Sequence, residues 1–156
     1  MTLPDCDTID LICSGELTAE DYQKAYVEVA FLLDAFASTI DNIMGGETAP
    51  VGRIAGRDTA RKLPLELPDP TLESVVAALG ERMQAGFEFE LEGDQLLFGR
   101  CILREMCRLR NIEQGSALCR LFHSYLDGIV NGLLCRPVKS ELVSVGDQCR
   151  LRIAVQ

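Results

Sequence analysis

The sequence predicts an α+β domain: helices packed on one face of a small antiparallel sheet built from two hairpins, in the order α-α-α-β-β-α-β-β. Three observations carry this expectation. Apolar residues recur at helical spacing through the first half, "FEFELEGDQLLFG" switches to a two-residue period, and "PVKSELVSVGDQCRLRIAV" repeats that alternation after one more helical run. At 156 residues the chain is long enough for one real core and short for two, so residues 1–156 are expected to form a single domain.

Thr18 is the expected N-cap of "LTAEDYQKAYVEVAFLLDAFASTIDNIMGG", with Asp21 at the capping-box offset and Gly45 and Gly46 punctuating the end. A shorter helix fits "PVGRIAGRDTARKLP", between Pro50 and Pro64. Within it Gly52 and Gly56 lie four apart, a smooth strip where another backbone can approach closely. Three prolines make "LPLELPDP" an extended linker. Asp69, Pro70 and Glu73 start "TLESVVAALGERMQAG", a third helix ending near Gly86. Phe87, Phe89 and Leu91 alternate, a Gly-Asp turn follows, and Leu96 to Phe98 complete the first hairpin. "CILREMCRLRN" reads as a connector, "GSALCRLFHSYLDGIVNGLL" as the fourth helix, and the second hairpin turns at Gly146 and Asp147.

Twenty-four acidic residues against 15 basic ones give a formal net charge of −9, which argues against a phosphate-neutralising surface and a direct nucleic-acid partner. No apolar run reaches the roughly 18 residues of a membrane span, and the acidic start "MTLPDCDTIDLIC" lacks the positive region of a signal peptide. The expected location is cytoplasmic. Seven cysteines, an odd number with no CxxC pair, fit buried thiols, a metal site or redox-sensitive thiols better than a disulfide scaffold.

Cys119 and the only histidine, His123, share one face of the fourth helix at the i, i+4 spacing of many metal ligand pairs. Cys107 and Cys149 complete a candidate zinc set with them, and Cys101 competes with Cys107 for a place in it. Against zinc, Tyr125, Leu126, Ile129 and Leu133 make this a core helix, where cysteine is at home. No P-loop, dinucleotide fingerprint, nucleophile elbow or HExxH is present, so no common enzyme class has a foothold. Arg53, Arg57 and Arg61 form a positive stripe whose ordinary reading is a solvated face. Arg100, Arg104, Arg108 and Arg110 crowd an otherwise acidic chain; they can serve salt bridges or hold a carboxylate or phosphate on a ligand.

The run "ALCRLFHSYLDGIVNGLLCRPVKSELVSVGDQCRLRI" resembles the vinyl-reductase-type domain, a small-molecule-binding family that includes 4-vinyl reductase accessory proteins and archaeal hydrocarbon-binding proteins. Cys119, Gly128, Gly132, Gly146, Asp147 and Cys149 match its pattern, and "VGRIAGRDTARKL" resembles its glycine-rich second helix. Ser144 stands where the family often has a cysteine. The resemblance implies an α+β ligand-binding fold, a homodimer formed through helices, and a small hydrophobic or tetrapyrrole-like ligand. The candidate lining is Phe87, Phe89, Phe98, Phe122 and Tyr125. The expected function is binding or sensing without catalysis of its own. The alternatives are an accessory role in tetrapyrrole vinyl reduction and a zinc- or redox-responsive protein.

Overall fold

The computed structural model describes residues 18–156. Its first helix, α1 (Ala19–Ile43), opens on the expected capping box: the Thr18 side chain accepts from the Asp21 N–H, and the Asp21 carboxylate accepts from the Thr18 N–H at 2.8 Å. It ends in Met44, followed by Gly45 and Gly46, both at positive φ. Helix α2 (Ala49–Lys62) carries Pro50 in its first turn and stops at Leu63, whose extended backbone precedes Pro64. Helix α3 (Leu72–Met83) starts slightly later than the Asp69–Pro70 signal suggests. The reason is local: Thr71 and Ser74 form a second reciprocal cap, and Asp69 takes a left-handed turn.

Strands β1 (Phe87–Glu92) and β2 (Gln95–Cys101) form the first hairpin, and β3 (Val138–Ser144) and β4 (Cys149–Val155) the second. They join as one antiparallel sheet in the order β1-β2-β4-β3, because β4 pairs with β2. Phe89 faces Phe98, Phe98 faces Cys149, and Leu96 and Leu142 both face Leu151. The two-residue period therefore builds one apolar sheet face from these residues with Val138 and Ile153. Glu88, Glu90, Glu141, Arg150 and Arg152 alternate onto the other face.

One expected connector is a helix. "CILREMCRLRN" folds as α4 (Ile102–Arg110), which makes the element order α-α-α-β-β-α-α-β-β. Leu103, Met106 and Cys107 recur at i, i+3 and i+4 and are buried, and Asn111 closes the helix in the left-handed conformation that asparagine tolerates. The fourth predicted helix is α5 (Ala117–Leu134).

Helix α5 lies on the sheet at β3, α3 lies on β1, and α2 packs along α5. Val75, Val76 and Leu79 of α3 meet Leu126, Ile129 and Val130 of α5 and the inner sheet face in the main core. The α2–α5 contact is unusually close. A Cβ added at Gly56 would overlap the Tyr125 carbonyl oxygen, and one added at Gly132 would meet the Ala60 methyl at 2.6 Å. Gly52 and Gly128 are equally pressed, so the smooth strip read from the sequence is met by a second one on α5. A smaller cluster beside the main core joins Ala30 and Ala37 of α1, Leu103 and Met106 of α4, and Ala117 and Leu118 of α5.

Candidate functional site

Two apolar spaces lie at the seam between the main core and the smaller cluster. The inner one is enclosed by Phe98 and Cys149 on the sheet, Leu103 and Arg104 at the start of α4, and Cys119, Phe122 and His123 on α5. Cys101 and Leu142 close its ends, together with Gln114, Gly115 and Val145 from loops. Its volume is about 20 Å³, the room of a single water. The outer one is an open groove of about 340 Å³ between α1, α2, α4 and α5, lined without a polar surface by Ile40, Val51, Gly52, Ala55, Leu118, Leu121 and Tyr125. Leu103 and Phe122 belong to both walls, so these two side chains form the partition between groove and cavity.

The aromatic residues sort accordingly. Phe122 lines both spaces, Phe98 the cavity and Tyr125 the groove. Phe87 and Phe89 line neither: Phe87 stacks on Phe122 with ring centroids 4.6 Å apart, and Phe89 packs on Phe98 at 5.1 Å. They back the wall. Tyr125 is held by its hydroxyl, which lies 3.1 Å from Thr59 Oγ1, and Tyr26 donates to the Ile102 carbonyl at 3.0 Å, tying α1 to α4.

Cys119, His123 and Cys149 all reach the cavity, and Cys107 lies behind Cys119, whose thiol it neighbours. Among the described residues, however, no group of three or more histidine, cysteine, aspartate or glutamate side chains is gathered so that it could hold a metal ion. The zinc set read from the sequence does not close. Helix α5 spaces Cys119 and His123 as expected, but Cys107 is fully buried and does not line the cavity that Cys119, His123 and Cys149 share. Burial, reinforced by Cys119, pushes the Cys107 thiol up to about 12, and burial also raises Cys101. Burial drives His123 the other way, to about 4, so the imidazole is neutral at physiological pH. Cys101, Cys107, Cys119, Cys135 and Cys149 are all free thiols.

The arginines part company. Arg108 pairs with Glu105 at 3.2 Å and Asp147 at 2.6 Å, Arg110 sits 4.0 Å over the Phe31 ring, and Arg100 donates to the Gln84 carbonyl. Arg104 is different. It is only 6% exposed, lines the cavity, and donates to the carbonyls of Phe98 at 3.2 Å and Gly99 at 2.5 Å. The pairing of β1 with β2 slips by one residue here, leaving Gly99 as a bulge. On α2, Arg61 pairs with Asp58, whereas Arg53 and Arg57 border a separate polar cleft with Lys139. Near Arg53 and Lys139, burial raises the carboxyl of Asp127, which accepts from the Ser140 N–H at 3.0 Å.

The signal that sequence reading missed is the groove itself. It depends on four helices meeting, and only the glycine strip on α2 hinted at the close approach of another backbone. Among the described residues no helix is long and apolar enough to cross a membrane. No protein-family model, curated protein or solved structure matches the chain.

Proposed function

We propose that this protein binds a small hydrophobic molecule in the groove between α1, α2, α4 and α5 and has no catalytic activity of its own. The observation that carries the reading is the groove's wholly apolar wall beside a partly enclosed cavity that shares Leu103 and Phe122 with it. A volume of about 340 Å³ falls at the lower end of small-molecule sites, and burying an apolar chain there gains roughly 25 cal/mol per Å². The vinyl-reductase-type resemblance of the C-terminal run supports the same reading. Free thiols throughout residues 18–156 suit a reducing compartment, the cytoplasm.

The test uses the neutral fluorophore N-phenyl-1-naphthylamine. The expected result is saturable binding at one site per chain, weakened at least about tenfold by Ala55→Trp, which fills the groove from its exposed rim. Binding without saturation, or unchanged by Ala55→Trp in a folded variant, overturns the reading. A tetrapyrrole guest, as in an accessory role in vinyl reduction, would colour the purified protein, whereas an aliphatic guest would not.

The partner is a second copy of the chain, joined through α1. Ala25, Val29, Leu32, Phe36, Thr39 and Ile43 are exposed and follow one another at intervals of four, three, four, three and four, the 3.5-residue period of a helix seam. Val29, Leu32, Phe36 and Ile43 of this seam present on the order of 400 Å² of apolar surface, about half of the roughly 800 Å² that a stable interface buries per partner. Sedimentation should give a dimer that Leu32→Glu with Phe36→Glu converts to monomer. A wild-type monomer at tens of micromolar refutes this.

A further inference from the structure

Among the described residues, Arg104 is a buried cation without a buried anion. Its two terminal nitrogens serve the Phe98 and Gly99 carbonyls, but its Nε is buried with no hydrogen-bond partner, and no carboxylate of the described residues pairs with it. The neighbouring acid, Glu105, pairs with Arg108 instead. Neutral donors would satisfy two carbonyls equally well, so those bonds leave the charge unused. Burying an unpaired guanidinium is costly, and the cost falls when an anion arrives. A second polar group with the same deficit belongs to a residue lining the same cavity: the buried Gln114 Oε1 has no partner among the described residues, and a side-chain amide can turn either its donor or its acceptor end to a carboxyl group. Elsewhere the wall is apolar side chains, thiols and the neutral His123.

We propose that the ligand is a carboxylated amphiphile of the fatty-acid type, its apolar chain in the groove and its carboxylate in the cavity on Arg104 and Gln114. This rests on the groove being the hydrophobic site. The head group enters as the Leu103 and Phe122 side chains rotate, since the cavity of about 20 Å³ is too small for it while they are closed. A guanidinium suits this role because its planar fork matches a carboxylate and remains charged at any physiological pH.

Calorimetric titration of the full chain with dodecanoate and with dodecan-1-ol, both below micelle formation, tests the proposal. The wild type should bind dodecanoate at least about tenfold more tightly. Arg104→Met should bind both at the affinity of the alcohol, and Arg104→Lys should keep part of the preference. Equal binding of acid and alcohol by the wild type overturns the carboxylate assignment while leaving the groove reading intact. Binding of neither probe overturns the groove reading itself. Because Arg104 also holds the bulge carbonyls, a wild-type measurement independent of any variant is added: the carbon-13 resonance of carboxyl-labelled dodecanoate should titrate at lower pH when bound than when free, and an unchanged midpoint refutes contact with a cation.

Discussion

Replacing Gly56 by alanine tests whether the closeness of α2 and α5 determines the stability of the fold. The added methyl would overlap the Tyr125 carbonyl oxygen and lie 2.8 Å from both the Gly128 Cα and the Ile129 nitrogen. All three are backbone atoms of α5, so no side chain can rotate away. To restore 3.4 Å to the latter two, the helices must part by at least roughly 0.6 Å, and the carbonyl demands more. Overpacking of this kind costs about 1–3 kcal/mol, here at the upper end, and alanine's better helix propensity returns at most about 1. The net loss is about 2 kcal/mol, which for a domain of this size lowers the melting temperature by about 4–8 °C. Gly80→Ala is the matched control. Its methyl would meet only the Phe89 carbonyl oxygen, at an ordinary 3.6 Å, so in α3 the same change should stabilise by about 0.5–1 kcal/mol. Differential scanning calorimetry reads both. A Gly56→Ala melting temperature equal to or above wild type refutes the argument that these helices cannot separate cheaply.

His123 makes stability pH-dependent in one direction. Its folded value of about 4 lies below the ordinary 6.5, so between those limits the unfolded chain binds the proton first and stability falls by on the order of 3 kcal/mol as pH drops from 6.5 to 4. Urea midpoints should show this slope in the wild type and lose it in His123→Leu. Asp127, raised by burial, acts with the opposite sign at and above its ordinary 3.8 in both proteins, and a slope that persists in the variant excludes His123 as its source. Alkylation followed by mass mapping should modify exposed Cys135 well before buried Cys107; the reverse order would contradict the burial and raised pKa of Cys107. In the monomeric Leu32→Glu, Phe36→Glu variant, hydrogen exchange should be faster across α1 than across α5, since within one chain α1 buries only Ala30 and Ala37; equal protection there would refute two unequal cores.

The sequence is most legible where local chemistry decides the outcome. Thr18 with Asp21, the proline and glycine punctuation of α2, and the alternation from Phe87 to Leu91 each act within a few residues, and each yields its element. Helix α4 was obscured because Arg104, Arg108 and Arg110 interrupt its hydropathy. Its apolar positions are too few to outweigh them until α1 and α5 supply a core for Leu103 and Met106. The burial of Arg104 follows no local rule at all: it depends on a bulge at Gly99 that turns two carbonyls toward the next helix. For the same reason the inner-face aromatics could be named but not divided. Alternation places Phe87, Phe89 and Phe98 on one sheet face, whereas the position of α5 decides that only Phe98 reaches the cavity.

The location of the groove follows from the inequality of the two cores. The α2–α5 pair is locked by backbone contact and fused to α3 and the sheet, so it cannot open without losing the main core. Helices α1 and α4 meet α5 through a smaller cluster of alanines, Leu103, Met106 and Leu118, with little apolar area to hold them. Leu103, half of the partition between groove and cavity, belongs to that weaker cluster, whereas Phe122 touches both clusters. Displacing Leu103 with α4 therefore joins the two spaces at the cost of the minor cluster's contacts and of the bonds that anchor α4, among them those of Arg104 to the Phe98 and Gly99 carbonyls and of Arg108 to Asp147. The same displacement loosens Arg104, because the residue that leaves the partition and the one that bonds the bulge carbonyls are consecutive in α4. Space for an apolar chain and exposure of an unpaired charge would thus arise from a single movement, whose cost an ion pair formed at Arg104 would offset.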